Sequence, residues 1–106
     1  MASAERFDGV SVSKKANVFF EGRCVSHTVH FPDGSRKSVG VMLPGSLRFE
    51  TAAPEQMERL EGRCRVEIGD SGKLTEYRGG QRFEVPGHSS FRIETLETLH
   101  YVCHFG

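Results

Sequence analysis

The run Gly80-Gln81-Arg82-Phe83-Glu84-Val85-Pro86-Gly87-His88-Ser89-Ser90-Phe91 holds the densest set of groups able to do chemistry. A glycine turn leads into a short alternating strand. The Pro86-Gly87 corner then delivers one histidine and two serines to the start of the next strand. In a small β-barrel, a corner of this kind brings its histidine to the barrel mouth. An imidazole there can move a proton or ligate a metal.

A transition-metal centre needs about three or four N, O or S ligands converging. His27 and His30 fall on opposite faces of one strand, and His100 and His104 share the face opposite the apolar one of theirs. His88 is left without companions, so the spacing supplies no metal site. Cys24, Cys64 and Cys103 are odd in number, widely spaced and flanked by apolar residues. They read as small core hydrophobes rather than a disulfide framework. Arg63 and Arg65 flank Cys64 but point to the other face of a strand, away from its thiol.

The elements that must position these groups are strands. Helical periodicity is nearly absent, and turns recur every eight to twelve residues, the spacing of a sandwich or barrel. Residues 1–15 are polar and form an arm with a possible short strand. Val18 to His30 carries alternation, with His27, Val29 and Phe31 on one face and Ser26, Thr28 and His30 on the other. Phe31-Pro32-Asp33-Gly34-Ser35 is a hairpin turn, followed by a return strand over Arg36–Leu43. Leu43-Pro44-Gly45-Ser46 turns again before a strand over Leu47–Thr51. A loop crosses at residues 52–56. Met57–Ile68 alternates around Gly62, and Gly69–Gly72 is a turn. Leu74–Tyr77, Arg82–Val85, Phe91–Glu94 and Leu99–Phe105 complete the strands. About eight to ten short strands of this kind suit a double-sheet jelly roll.

The 106 residues make one domain, with residues 16–106 as the barrel. Lys plus Arg and Asp plus Glu number 14 each, so net charge is zero. Nucleic-acid binders show a basic excess, so none is expected as a partner. No apolar run approaches ~18 residues, so no membrane-spanning helix is expected. The opening Met1–Arg6 has no hydrophobic signal core, which makes the expected location cytoplasmic.

Gly80 through His88 resembles the second signature hairpin of cupins, shortened to Pro86-Gly87-His88. Met57-Glu58-Arg59-Leu60-Glu61-Gly62 keeps the closing shape of the first, but Val39 to Glu50 lacks the histidine pair that cupins place there. The narrower match lies in several blocks. They are Ser38-Val39-Gly40-Val41-Met42, Phe49-x-Thr51-Ala52-x-Pro54-Glu55-x-Met57, Gly62, and Val85-Pro86-Gly87-His88-Ser89-x-Phe91, with Tyr101 and Cys103 near the end. These blocks, at their separations, resemble the pyrimidine/purine nucleoside phosphorylase family over about Phe7 to Phe105. One departure is the segment around residues 14–36, longer here than in the shorter members.

The resemblance implies an all-β, single-domain cupin jelly roll. It also implies phosphorolysis, in which a purine or pyrimidine nucleoside plus inorganic phosphate gives free base and α-D-ribose 1-phosphate. Broad base tolerance, no cofactor, no metal requirement and a homodimer belong to the same implication. Such chemistry needs donors for phosphate, a grip on the ribose hydroxyls and a stacking surface for the base. His88 and Glu55 are the catalytic candidates, with Glu55 gripping ribose from the crossing loop. Ser38 and Ser89 are the phosphate-binding candidates, Ser38 beside a glycine strand that lets a ligand approach closely. Phe91 and Tyr101 are the base- and ribose-binding candidates. Arg48 and Arg65 are alternative phosphate partners, Arg92 faces solvent, and Met42 and Met57 fill the core. A non-enzymatic binding cupin would share the same pocket. The missing histidine pair counts against a metal-dependent cupin enzyme.

Overall fold

The computed structural model describes residues 6–105. Met1 to Glu5, which open the expected N-terminal arm, and Gly106 lie outside the described residues. Eleven strands run in chain order: β1 (Ser11–Val12), β2 (Asn17–Phe19), β3 (Cys24–His30), β4 (Arg36–Met42), β5 (Gly45–Glu50), β6 (Glu55–Glu61), β7 (Cys64–Ile68), β8 (Thr75–Tyr77), β9 (Arg82–Val85), β10 (Ser90–Thr95) and β11 (Leu99–Phe105). They form two sheets. The larger has the order β1-β3-β4-β11-β6-β9, with β2 also on the outer edge of β3. The smaller has the order β5-β10-β7-β8. Every pairing is antiparallel. The architecture is the expected all-β cupin jelly roll.

Turn chemistry sets the register. At Phe31–Ser35, the Gly34 and Phe31 amides donate to Phe31 O and Ser35 O, both at 3.0 Å. Asp33 Oδ1 accepts from the Ser35 amide and hydroxyl. This turn fixes Thr28 opposite Ser38 across β3 and β4. The inner faces of both sheets meet in a core built around Met42, Leu47, Val66, Phe83, Ile93 and Leu99. Each such side chain contributes roughly 1.5–3 kcal/mol on burial. All three cysteines are free and buried.

Three local expectations are corrected. Met57–Ile68 is not one run. Gly62 adopts φ 105°, and a Cβ there would lie 2.8 Å from Thr98 O, so the chain turns and β6 and β7 enter different sheets. Glu55 therefore opens strand β6 rather than sitting in the crossing loop. The Val18–His30 run is interrupted by a 3-10 turn at Phe20–Gly22, where Phe20 and Glu21 hold φ 53° and 55°.

Gly40 also differs from expectation. A Cβ on it would come 2.3 Å from Val25 O and 2.8 Å from Ser26 Cβ. The missing side chain lets β3 approach β4 rather than making room for a ligand.

Arg59, with no exposed surface, lies opposite Tyr101 across β6 and β11. Its guanidinium donates to Gly62 O at 3.0 Å and to Arg78 O, and stacks 5.5 Å from the Tyr77 ring centre. Burial pulls its pKa down, yet a guanidinium holds its charge in proteins. Among the described residues its Nε has no partner.

Candidate active site

A cavity of about 260 Å³ opens between the two sheets. Strand alternation and register place its lining in rows on the inner face of the larger sheet. One row runs Arg36 on β4, Phe105 on β11 and Glu55 on β6. The next runs Thr28, Ser38, Cys103 and Met57 on four neighbouring strands. The third holds Ser26, Gly40 and Tyr101. The wall contributed by the smaller sheet is aromatic, with Phe49 and Phe91 stacked at 5.3 Å. Phe19 from β2 also lines the cavity, and Phe20 meets Phe49 edge-on at 5.3 Å.

The polar groups are distributed unevenly. Glu55 is the one carboxylate and Arg36 the one cation among the lining residues. The Cys103 thiol donates to Glu55 Oε1 at 3.5 Å. Burial raises the Glu55 pKa, with the thiol contact pulling the other way. Burial likewise raises Cys103, followed by repulsion from the Glu55 charge. Tyr101 Oη lies 3.3 Å from Cys24 Sγ, and burial pushes its pKa up. These thiols and the phenol therefore stay protonated at neutral pH. Asn17 Nδ2 donates to Ser26 Oγ at 3.3 Å and to Thr28 Oγ1 at 3.2 Å. Each hydroxyl keeps its own hydrogen to donate, Ser26 toward Tyr101 and Thr28 toward a ligand. Ser38 is 7 % exposed and lines the cavity.

Four of the six expected site residues meet here: Glu55, Ser38, Phe91 and Tyr101. His88 and Ser89 do not. They line a separate cleft with Arg48, Glu50, Asp70 and Ser90. Phe91 faces the interior, so alternation turns Ser90 and Arg92 to the outer face of the smaller sheet. Arg48 and Glu50 stand on that same outer side, opposite the inward Phe49. His88 occupies the corner with φ 51°, its amide donating to Ala52 O at 3.1 Å. The Ser89 amide donates to Thr51 Oγ1. Arg92 is held between Glu94 and Glu67 at 2.6 and 3.3 Å.

Sequence reasoning missed Asn17, Phe19, Ser26, Thr28, Arg36 and Phe49. A signal existed for three of them. The Phe31–Ser35 hairpin registers Thr28 on Ser38, and the period of two then adds Arg36 and Ser26 to the same face. Among the described residues, no group of three or more His, Cys, Asp or Glu side chains is placed to hold a metal ion.

Comparison with known proteins agrees with this fold. At the level of fold alone, the crystal structure of FeII HppE superposes with a TM-score of 0.71 at 14 % identity, over 96 % of this chain and 63 % of that one. A protein of unknown function from Acinetobacter sp. ADP1 superposes with a TM-score of 0.92 at 54 % identity, covering 95 % of this chain and 98 % of that one. A relative in Nocardia farcinica is 58 % identical over 101 residues, 95 % of this chain and 98 % of its own, and is named pyrimidine/purine nucleoside phosphorylase. The family model described as pyrimidine/purine nucleoside phosphorylase matches residues 14–105, which include every residue lining the cavity. On sequence, fold and the span matched, this chain belongs to the pyrimidine/purine nucleoside phosphorylase family.

Proposed function

We propose that the protein is a nucleoside phosphorylase of broad base specificity acting in the cavity between the sheets. An oxygen of inorganic phosphate forms a bond to C1′ of the nucleoside. The C1′–N bond breaks, its electron pair leaves on the base nitrogen, and that nitrogen takes up a proton. The products are free base and α-D-ribose 1-phosphate. The reaction as proposed uses no metal.

The observation that carries this reading is a lone carboxylate and a stacked aromatic wall lining the same open cavity. Ionised Glu55 accepts hydrogen bonds from ribose hydroxyls and offsets the positive charge that grows on the sugar as the bond breaks. Phe91, with Phe49, stacks the base. Stacking reads every base alike, whereas a fixed hydrogen-bond code rejects all but one. Tyr101 forms the floor beneath the ribose, and Ser38 donates to phosphate. His88 and Ser89, which line a cleft on the other side of the smaller sheet, have no part in this scheme.

Three further readings accompany it. Free, buried thiols suit a reducing cytoplasm. The outer side of the larger sheet carries exposed Phe7, Val12 and Leu60 around a shared cleft, an apolar surface that suits a homodimer contact. Residues 16–106 form the folding unit, with the arm laid along β3 through β1.

The test is base release from uridine, inosine and adenosine, with and without phosphate, after chelator treatment. The expected result is phosphate-dependent release that survives the chelator. Release without phosphate would make the protein a hydrolase. Silence on all three would move it to the binding cupins. Sedimentation of the purified protein checks the dimer.

A further inference from the structure

We propose that Arg36, with Ser38 and Thr28, forms the phosphate subsite, at the opposite end of the cavity from a base subsite made by Phe19, Phe49 and Phe91. The inference rests on the phosphorylase reading and adds to it the direction in which the nucleoside lies.

The stereochemistry fixes the relation between the two subsites. A β-nucleoside that gives an α-1-phosphate inverts at C1′, so phosphate attacks from the face opposite the departing base. The two subsites must therefore lie at opposite ends of the cavity. The aromatic end is unambiguous. Phe49 and Phe91 are stacked, Phe20 is edge-on to Phe49, and Phe19 sits beside Cys24 at the far end of β3. The other end is the row holding Arg36, Phe105 and Glu55. From Gly40 to Arg36 is about 13 Å along β4, the reach of a nucleoside with a phosphate behind it.

Arg36 suits that role on three counts. Among the described residues it is the one cation lining the cavity. Among the described residues it makes no ion pair and no side-chain hydrogen bond, so its donors are unspent. It lies 5.9 Å over the Phe105 ring, which orients the guanidinium before any ligand arrives. A planar guanidinium meets two phosphate oxygens at once. Ser38 stands two residues on, on the same face, and Thr28 is directly opposite Ser38. Asn17 spends an amide proton on Thr28 Oγ1, leaving the threonine hydroxyl hydrogen for the anion. Glu55 is two strands away, about 10 Å, with Phe105 between. The carboxylate therefore reaches the sugar without neutralising the phosphate site.

The experiment compares Arg36→Gln, Phe19→Ala and Arg48→Gln, the last removing an equal charge from the cleft that holds His88. Each is assayed for KM of phosphate, KM of uridine and kcat, and titrated with inorganic phosphate by calorimetry. Arg36→Gln is expected to raise KM and Kd for phosphate about 10- to 100-fold while leaving KM of uridine within about threefold. Phe19→Ala should do the reverse, and Arg36→Lys should recover part of the phosphate affinity. Normal phosphate affinity in Arg36→Gln, or its loss in Arg48→Gln instead, would overturn the assignment while the enzyme still turned over nucleosides. Arg36-dependent phosphate binding in a protein that releases no base would uphold the subsite and sink the phosphorylase reading.

Discussion

The two faces of the larger sheet carry the same strands and treat charge in opposite ways. On the outer face, Lys37 Nζ donates to His104 Nδ1 at 2.7 Å, and His104 Nε2 donates to Glu58 Oε1 at 2.9 Å. Arg82 closes the line at 3.3 Å from Glu58. Four side chains on β4, β11, β6 and β9 thus satisfy one another in sequence. One residue earlier on β4, exposed Arg36 lines the cavity without an ion pair among the described residues, and Glu55 on β6 has a thiol as its partner. Unpaired charges at the cavity, beside paired ones outside, are what the proposed ligand site requires.

Substitutions on either face can break that contrast. Phe91→Ala removes a buried ring from the wall of the cavity and should cost about 3–5 kcal/mol, read by urea unfolding, together with nucleoside affinity. Glu55→Gln should lower kcat/KM about 100-fold with the fold intact. Its effect on stability has the opposite sign. Because burial raises the folded pKa of Glu55, the carboxyl favours folding in its protonated form, and that advantage is lost as pH rises through the folded value. The neutral glutamine should therefore unfold at a higher temperature than the parent at pH 8, with the gain vanishing below the ordinary glutamate range. A stability gain with unchanged turnover would mean that Glu55 is merely a badly placed charge.

The outer face should answer more weakly. Glu58→Gln cuts the paired line in its middle and is expected to cost under about 1 kcal/mol, with kcat/KM within about twofold of the parent. A large loss of activity there would erase the distinction between the faces. The smallest effect is expected at the corner. His88→Gly relieves a left-handed backbone at a non-glycine residue and should stabilise by up to about 1 kcal/mol, leaving kcat/KM unchanged. Loss of turnover would return His88 to the chemistry.

Much of this was legible from the sequence. Alternation and turn residues pointed to the jelly roll, and the spaced blocks contain Ser38, Glu55, Phe91 and Tyr101, which line one cavity. His88 lies apart from them because its Pro-Gly corner fixes where the chain turns and leaves open which face the side chain takes. That choice follows from Phe91 packing inward. The β3 strand misled in the other direction. Val29 is 3 % exposed on the outer face, while the polar Ser26 and Thr28 face the interior, so hydrophobicity alone assigns the faces wrongly. Here the inner face lines a cavity and only partly packs. Arg36 was hidden by its place at the start of a strand after a polar turn, where an arginine is usually solvated.

The turn at Phe20–Gly22 has a consequence for motion. Three successive left-handed residues, two of them not glycine, sit at the aromatic end of the cavity with both phenylalanines about two-fifths exposed. Such a segment holds strain and little buried surface, so it belongs to the low end of local opening free energies. Amide hydrogens of residues 19–22 should exchange with deuterium orders of magnitude faster than those of β10 and β11. A nucleoside clasped between Phe19 and Phe49 would slow that exchange first, giving a clock for occupancy that needs no turnover.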